Sequence, residues 1–538
     1  MIQRILGCLF LVLVITALAQ CARRGTPSGG DKDILPPELI KAVPENLSTN
    51  FSAKKIRLYF NEYIKLKDVQ EQLIISPPLK YAPLIKPQGS ASKYIEIIIK
   101  DTLKENTTYT FNFGQSIIDN NEGNPNSFLN YVFSTGDYID SLEVTGAVLD
   151  AFNKSSDKFI SVMLYEIDST YNDSTVYLRP PNYITNTLDS TNIFRLKNLK
   201  AGEYSLFAIK DEGKNNLFDQ NSDKIGFTAN TITIPTDSIY ALSLFKEVLD
   251  YNISVPKFAA KNKIIFGYQG IPDNVVIETL TQFPDTISTL VTKEPKKDTL
   301  NYWFTPFEMD SIIFVIKNEY EKKIDTFTVK SRKKVPTDSL KTTPNQSGNL
   351  SFIDSFHIRV NTPVTSIDTS KINITNKDSL AVNFKAMLDS TENRLNFDFE
   401  RLPNEQYIIE LFPGAIQDFF NTENDTITLK FSTKSFADLG NLTLNIDGDV
   451  SYPLIVQLTN DKGEVQREIY IKEAKPIVFN YIDPTNYRIR VIFDANKNGK
   501  WDTGNYLKKI QPERVSHYPE LIEVRANWEL EQTFTIVN

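Results

Sequence analysis

Lys55-Ile56-Arg57-Leu58-Tyr59-Phe60-Asn61-Glu62 alternates apolar and polar side chains, and that alternation predicts a half-buried β-strand. A strand turns successive side chains to opposite faces, so Ile56, Leu58 and Phe60 share one face while Arg57 and Tyr59 share the other. The period recurs downstream: Ile160, Val162 and Leu164 alternate with Ser161 and Met163. Such runs are short, rich in β-branched and aromatic residues, and separated by Asn, Asp, Gly and Pro turns. No long run carries helical spacing. The expected fold is all-β: tandem β-sandwiches.

A chain of 538 residues is too long for one hydrophobic core and implies several domains. Its hydrophobic content of 41% and charged content of 23% are those of an ordinary globular protein. A net charge of −8 argues against a nucleic-acid partner, which would require a basic face to displace counterions. The short basic run Arg332-Lys333-Lys334 reads as a solvated linker face. The two cysteines, Cys8 and Cys21, both precede the folded part, so disulfides, Cys-ligated zinc and thiol catalysis are not expected there. The two histidines, His357 and His517, lack any accompanying nucleophile motif, and His357 falls on the polar side of an alternating strand.

Residues 1–20 read as a signal peptide, with Arg4 as the positive n-region and Ile5 to Ala19 as the apolar h-region. That stretch is shorter than a comfortable membrane span. It ends in Leu18-Ala19-Gln20-Cys21, which resembles the lipobox of bacterial lipoproteins, although Gln20 stands where that family usually has a small residue. The resemblance implies cleavage before Cys21 and acylation of Cys21, and several acyl chains on one residue anchor stably. Ala22 stands where, in many diderm bacteria, an aspartate would mark inner-membrane retention, so the outer membrane is expected. The cell surface is favoured over the periplasmic face. Residues 21–35, with Gly25, Pro27, Gly29 and Gly30, read as the lipidated cysteine and a flexible tether.

Residues 36–138 carry an ordered set of features. Val43-Pro44-Glu45-Asn46 precedes the strand quoted above, and Leu103, Tyr109, Asp119, Gly123-Asn124 and Phe133-Ser134-Thr135-Gly136 follow it. This order resembles the SbsA-type immunoglobulin-like domain of bacterial surface-layer and lipoprotein chains, which implies a fold and a surface setting but no catalytic residue. A degenerate copy is expected at 350–436: Ile358-Arg359-Val360 answers Ile56-Arg57-Leu58, Tyr407 answers Tyr109, Asp418 answers Asp119, and Phe431-Ser432-Thr433 answers Phe133-Ser134-Thr135. A second repeat aligns Tyr204-Ser-Leu-Phe-Ala-Ile-Lys-Asp211 with Tyr487-Arg-Ile-Arg-Val-Ile-Phe-Asp494. Its units, 139–253 and 437–538, resemble prealbumin-like or carboxypeptidase-regulatory β-sandwiches. A sandwich of unassigned type is expected at 254–335, with the strand Ile312 to Ile316. Residues 336–349, rich in Ser, Thr, Pro and Lys, read as a linker.

One constellation could carry chemistry. Asp494, Asn496, Asn498, Lys500 and Asp502 occupy positions 1, 3, 5, 7 and 9 of a loop with Gly499 at position 6. Alternate oxygens can converge on calcium while glycine permits the sharp turn, and Lys500 would offer its backbone carbonyl. Position 12 is Asn505 rather than a bidentate glutamate, so affinity is expected on the order of 10⁻⁴–10⁻³ M. The earlier copy, with Asp211, Asn215, Asp219 and Asp223, is the poorer set. The same residues equally suit Asx-turn loops that bond their own backbone. Trp501 reads as a packing residue. A structural Ca2+ is the one cofactor expected.

Taken together, these features predict a non-catalytic lipoprotein held to the membrane through Cys21, serving as scaffold or interaction module for an outer-membrane or envelope protein. The alternative is a surface adhesin or uptake lipoprotein that captures glycan or peptide, for which a row of exposed aromatics on one sheet face would be diagnostic. An enzyme with paired carboxylates is a third class, but no pair stands out. No small-molecule substrate is predicted.

Overall fold

The computed structural model describes residues 32–537, apart from 128, 188–191, 273–274, 296, 320–321 and 332–334. The signal peptide, Cys21, most of the tether and the Arg332-Lys333-Lys334 run therefore lie outside the described residues. The chain is an all-β string of tandem sandwiches, and helix among the described residues is confined to single turns such as Val69–Gln72 and Thr175–Leu178.

In the first sandwich, one sheet runs Leu39–Val43, Lys55–Leu66, Ser92–Ile98, Leu84–Lys86, and packs on a second made of Ile74–Ser76, Thr108–Asn112 and Asn130–Ser134. Ile56, Leu58 and Phe60 point into its core, as the alternation predicts. The second and fifth sandwiches share one plan. In each, the first and last strands pair in parallel, Leu142–Asp150 with Ile239–Leu244 and Gly440–Gly448 with Glu529–Ile536. The facing sheets are built around Gly202–Lys210 and Asn486–Phe493. A third sandwich centres on Lys263–Gln269 and Ser311–Asn318, and a fourth on Arg394–Phe399 and Gln406–Leu411.

The repeated residues turn out to be clamps. Tyr109 Oη accepts from Lys104 N at 2.9 Å while Thr135 Oγ1 donates to Lys104 O at 2.7 Å. Tyr407 Oη accepts from Leu402 N at 2.8 Å while Thr433 Oγ1 donates to Leu402 O. The buried carboxylates Asp119 and Asp418 each collect backbone N–H groups of the turn that follows. In the other pair of sandwiches, Tyr204 Oη and Tyr487 Oη donate to Lys200 O at 3.2 Å and Asp483 O at 3.0 Å. A tyrosine on a strand that ties back to the preceding turn fixes a sandwich corner, because its ring is core and its hydroxyl still finds a partner.

Two sequence expectations are corrected. Residues 342–349 are not linker: Thr342–Pro344 pairs with Phe356–Val360, and Gly348–Asn349 pairs in parallel with Ile427–Ser432. Short edge strands tolerate Pro344 and glycine, so composition alone reads them as loop. Asn252–Ile253 pairs with Lys263–Gln269 and Tyr251 joins the third core, so that sandwich starts before residue 254. Met163 is fully buried on a sheet face that the alternation leaves outside. Val176, Phe218 and Phe245 of the same sandwich share its cluster, and Tyr506 of the fifth sandwich joins them.

Candidate metal loops and the joint between two sandwiches

The loop after Asn486–Phe493 is organised around Asp494, which is 1% exposed. Its Oδ1 accepts from Asn498 N at 3.0 Å and its Oδ2 from Gly499 N at 2.8 Å. Burial works against the charged carboxylate. The N–H groups of Gly499, Asn498 and Lys497 and the Tyr470 hydroxyl outweigh it and hold Asp494 below the usual aspartate range. Asn496 and Asn498 both donate through Nδ2 to Asp502 Oδ2, while their Oδ1 atoms accept from Asn498 N and Lys500 N. The structure thus brings Asp494, Asn496, Asn498, Lys500 and Asp502 into one loop, knit by Asx turns.

Glu513, absent from the sequence reading, completes this loop. Its Oε1 accepts from Ala495 N at 2.7 Å and its Oε2 from Asp502 N at 3.0 Å. In the second sandwich, Asp223 does the same work, accepting from Glu212 N at 3.1 Å and from Asp219 N at 2.8 Å. Asp211, Asp219 and Asp223 therefore correspond to Asp494, Asp502 and Glu513. The third carboxylate falls four residues after Asp219 but eleven after Asp502, because seven further residues are inserted within 503–512. No fixed spacing could have found it. The earlier loop is less satisfied: Asp211 spends Oδ2 on Asn216 N, leaves Oδ1 buried without a hydrogen bond, and is pushed up chiefly by burial. Asn215 Oδ1 accepts from Leu217 N.

Among the described residues, no three His, Cys, Asp or Glu side chains converge as a metal-ligating group. The donor set of the later loop, two aspartates with amide and backbone oxygens, suits a hard cation in kind. Calcium there would have to compete with the loop's own N–H groups for those oxygens.

The insertion itself has a definite job. Tyr506, 2% exposed, enters an apolar cluster on the outer face of the second sandwich, with Met163, Phe207, Ile209, Phe227 and Phe245. Its ring lies 5.2 Å from those of both Phe207 and Phe227, edge to face. A Cβ on Gly504 would stand 2.6 Å from Phe245 Cζ, so only glycine allows this approach. Thr503 Oγ1 donates to Lys246 O, Gln511 Nε2 to Phe227 O, and Lys509 pairs with Asp173 at 2.7 Å. On the other side of the joint, the Phe152 ring of the second sandwich lies 4.7 Å from that of Trp501, tilted against it, and 3.9 Å from the Arg490 guanidinium. His517 Nε2 lies 3.1 Å from Phe152 O, and burial, with Arg490 beside it, lowers that imidazole to about 4. It is a neutral structural donor, and His357 is likewise lowered by burial.

Glu247 sits in this joint, 5% exposed, accepting from Tyr506 N through Oε1 while Oε2 has no hydrogen bond. Burial raises its carboxyl above the ordinary value of 4.5, against the pull of Tyr506 N–H and the Gln220 amide. The folded state then prefers the protonated form. Its contribution is full below the unfolded value and is lost as pH rises through the folded one. Glu247→Gln, uncharged at every pH, is expected to raise the melting midpoint by a few degrees at neutral pH and to change little in acid. Scanning calorimetry at both conditions checks this; an unchanged neutral midpoint would sink it.

The comparisons bear on the first sandwich. Residues 33–135 match the family of bacterial Ig-like domains. No curated protein matches the chain. Among solved structures, the S-layer protein rSbsC aligns at 12% identity over 90% of this chain and 67% of that one, with a TM-score of 0.16. A group of titin domains aligns at 12% identity over 52% of this chain and 98% of that one, TM-score 0.14. The four N-terminal Ig domains of a Dscam1 isoform align at 10% over 73% and 98%, TM-score 0.15. TM-scores this low carry no argument about arrangement or activity.

Proposed function

We propose that this chain is a non-catalytic outer-membrane lipoprotein, anchored through acylated Cys21, that holds its sandwiches as one stiff scaffold for an envelope protein partner. Ig-like repeats are structural or interaction modules, and the observation that carries the scaffold reading is the joint made by Tyr506 and Phe152. The third and fourth sandwiches touch through Trp303 and Phe420, and the fourth and fifth through Phe352, Phe436 and Tyr481. With the joint, sandwiches two to five close on themselves. Strings of modules linked only end to end bend at every boundary, whereas a closed set resists bending. Calcium belongs to the proposal as a stiffening ion of the Asp494–Asp502 loop.

Cys21→Ser is expected to move the protein from the membrane pellet to the soluble fraction and to abolish labelling by a clickable palmitate analogue. Retained pelleting together with retained label would overturn the anchor. Protease added to intact cells separates the two faces of the membrane: digestion places the chain on the surface, whereas resistance lost on permeabilisation places it in the periplasm.

A further inference from the structure

The first sandwich turns an aromatic, basic sheet face to solvent. Register sets it out in rows. Tyr59 pairs with Lys41 on one side and Tyr94 on the other, and in the next row Arg57 pairs with Val43 and Glu96, which pairs in turn with Lys86. Tyr59 and Tyr94 lie with ring centroids 5.7 Å apart, and Tyr94 is 41% exposed. Beside them Tyr63 is 56% exposed, with Lys93 Nζ 5.4 Å from its ring. Arg57 is not free to wander. Its Nε and Nη2 both lie 2.9 Å from Oε2 of Glu96, a carboxylate 7% exposed, and its guanidinium stands 5.7 Å from the Tyr94 ring. Lys55 reaches the same oxygen at 3.6 Å. These two rows with Lys55 therefore set four cations (Lys41, Lys55, Arg57, Lys86) against one carboxylate, on a chain whose net charge is −8.

Tyrosines normally fill cores or joints in this protein; here Tyr63 and Tyr94 stand exposed and Tyr59 half-buried on the outer face of the sheet. Partly exposed rings beside cations present two kinds of attraction at once. The rings take up the C–H faces of sugar rings by dispersion, and the cations take carboxylates. We infer that this sheet face binds an acidic polysaccharide, a polymer of uronic-acid type, through Tyr59 and Tyr94 as stacking platforms and Arg57, Lys41 and Lys86 as carboxylate partners. An anionic lipid surface would want the cations without the rings, and a neutral glycan the rings without the cations.

The test is affinity electrophoresis of the full chain in detergent, through gels containing polygalacturonate or neutral dextran, with titration against single-stranded oligo-dT in parallel. The expected result is retardation by polygalacturonate only, weakened by added salt. Tyr59→Ala combined with Tyr94→Ala should weaken it about tenfold or more without moving the melting midpoint, since both rings lie outside the core. Arg57→Ala should weaken it too. Equal binding to oligo-dT, no retardation by polygalacturonate, or full retardation of the double tyrosine variant would each overturn the assignment.

Discussion

Tyr506→Ala is expected to open the joint between the second and fifth sandwiches while leaving both folded. Removing a large buried ring typically costs about 3–5 kcal/mol, from lost transfer and from the cavity left behind. Here the loss falls on the contact rather than on either core, because Tyr506 is the fifth sandwich's entry into a cluster otherwise built by the second. The edge-to-face contacts with Phe207 and Phe227 go with it, and the buried Glu247 loses the packing that keeps water from its carboxyl. Small-angle scattering should report a larger radius of gyration and a broader distance distribution. Calorimetry should resolve an extra, lower transition, and limited proteolysis should cut early within 503–511. Gly504→Val attacks the same joint by steric clash with Phe245 instead of by loss of packing, and should open it too. An unchanged scattering profile in both variants would show that the closed arrangement does not depend on this insertion.

Asp494→Ala should destabilise the fifth sandwich by about 2–4 kcal/mol, since the N–H groups of Asn498 and Gly499 lose their acceptor inside a partly buried loop. For a module of this size that lowers its melting midpoint by on the order of ten degrees or more. The pH dependence has a definite sign. Asp494 is held below the usual aspartate range, so its contribution is present above that range and is lost as pH falls through the depressed folded value. Wild type should therefore converge on Asp494→Ala in strong acid. Calcium adds a separate arm. At ten times its Kd, an ion that binds only the folded loop contributes about 1.4 kcal/mol. The full chain should thus melt higher in millimolar calcium than in chelator, and the variant should melt alike in both. The full chain is the right sample, because an isolated 437–538 fragment would expose Trp501 and Tyr506. A wild-type midpoint indifferent to calcium would leave the loop as a self-sufficient Asx-turn structure.

Much of this architecture was written locally. Period-two runs such as Ile56-Arg57-Leu58-Tyr59-Phe60 assign strands and inner faces because the pleat is a property of the backbone. The two repeats were legible because Tyr109 and Tyr407, and Tyr204 and Tyr487, each bind a backbone atom four or five residues upstream, so spacing alone preserves the contact. Asp494 and its loop were legible for the same reason. Glu513 was not: an insertion separates it from Asp502, and its contacts form only when the loop closes. Nor could alternation tell what covers an outer face. It places Met163 and Phe207 on the side of the strand away from their own core, and there its information ends. Whether such a face meets water or another sandwich depends on where a segment hundreds of residues away arrives. So the sequence by itself determined strands, corners and turn loops, all products of short-range geometry. The tertiary structure decided which sheet faces are buried in the joint and which, like the Tyr59–Tyr94 face, stay open, because burial depends on long-range packing that no local period encodes.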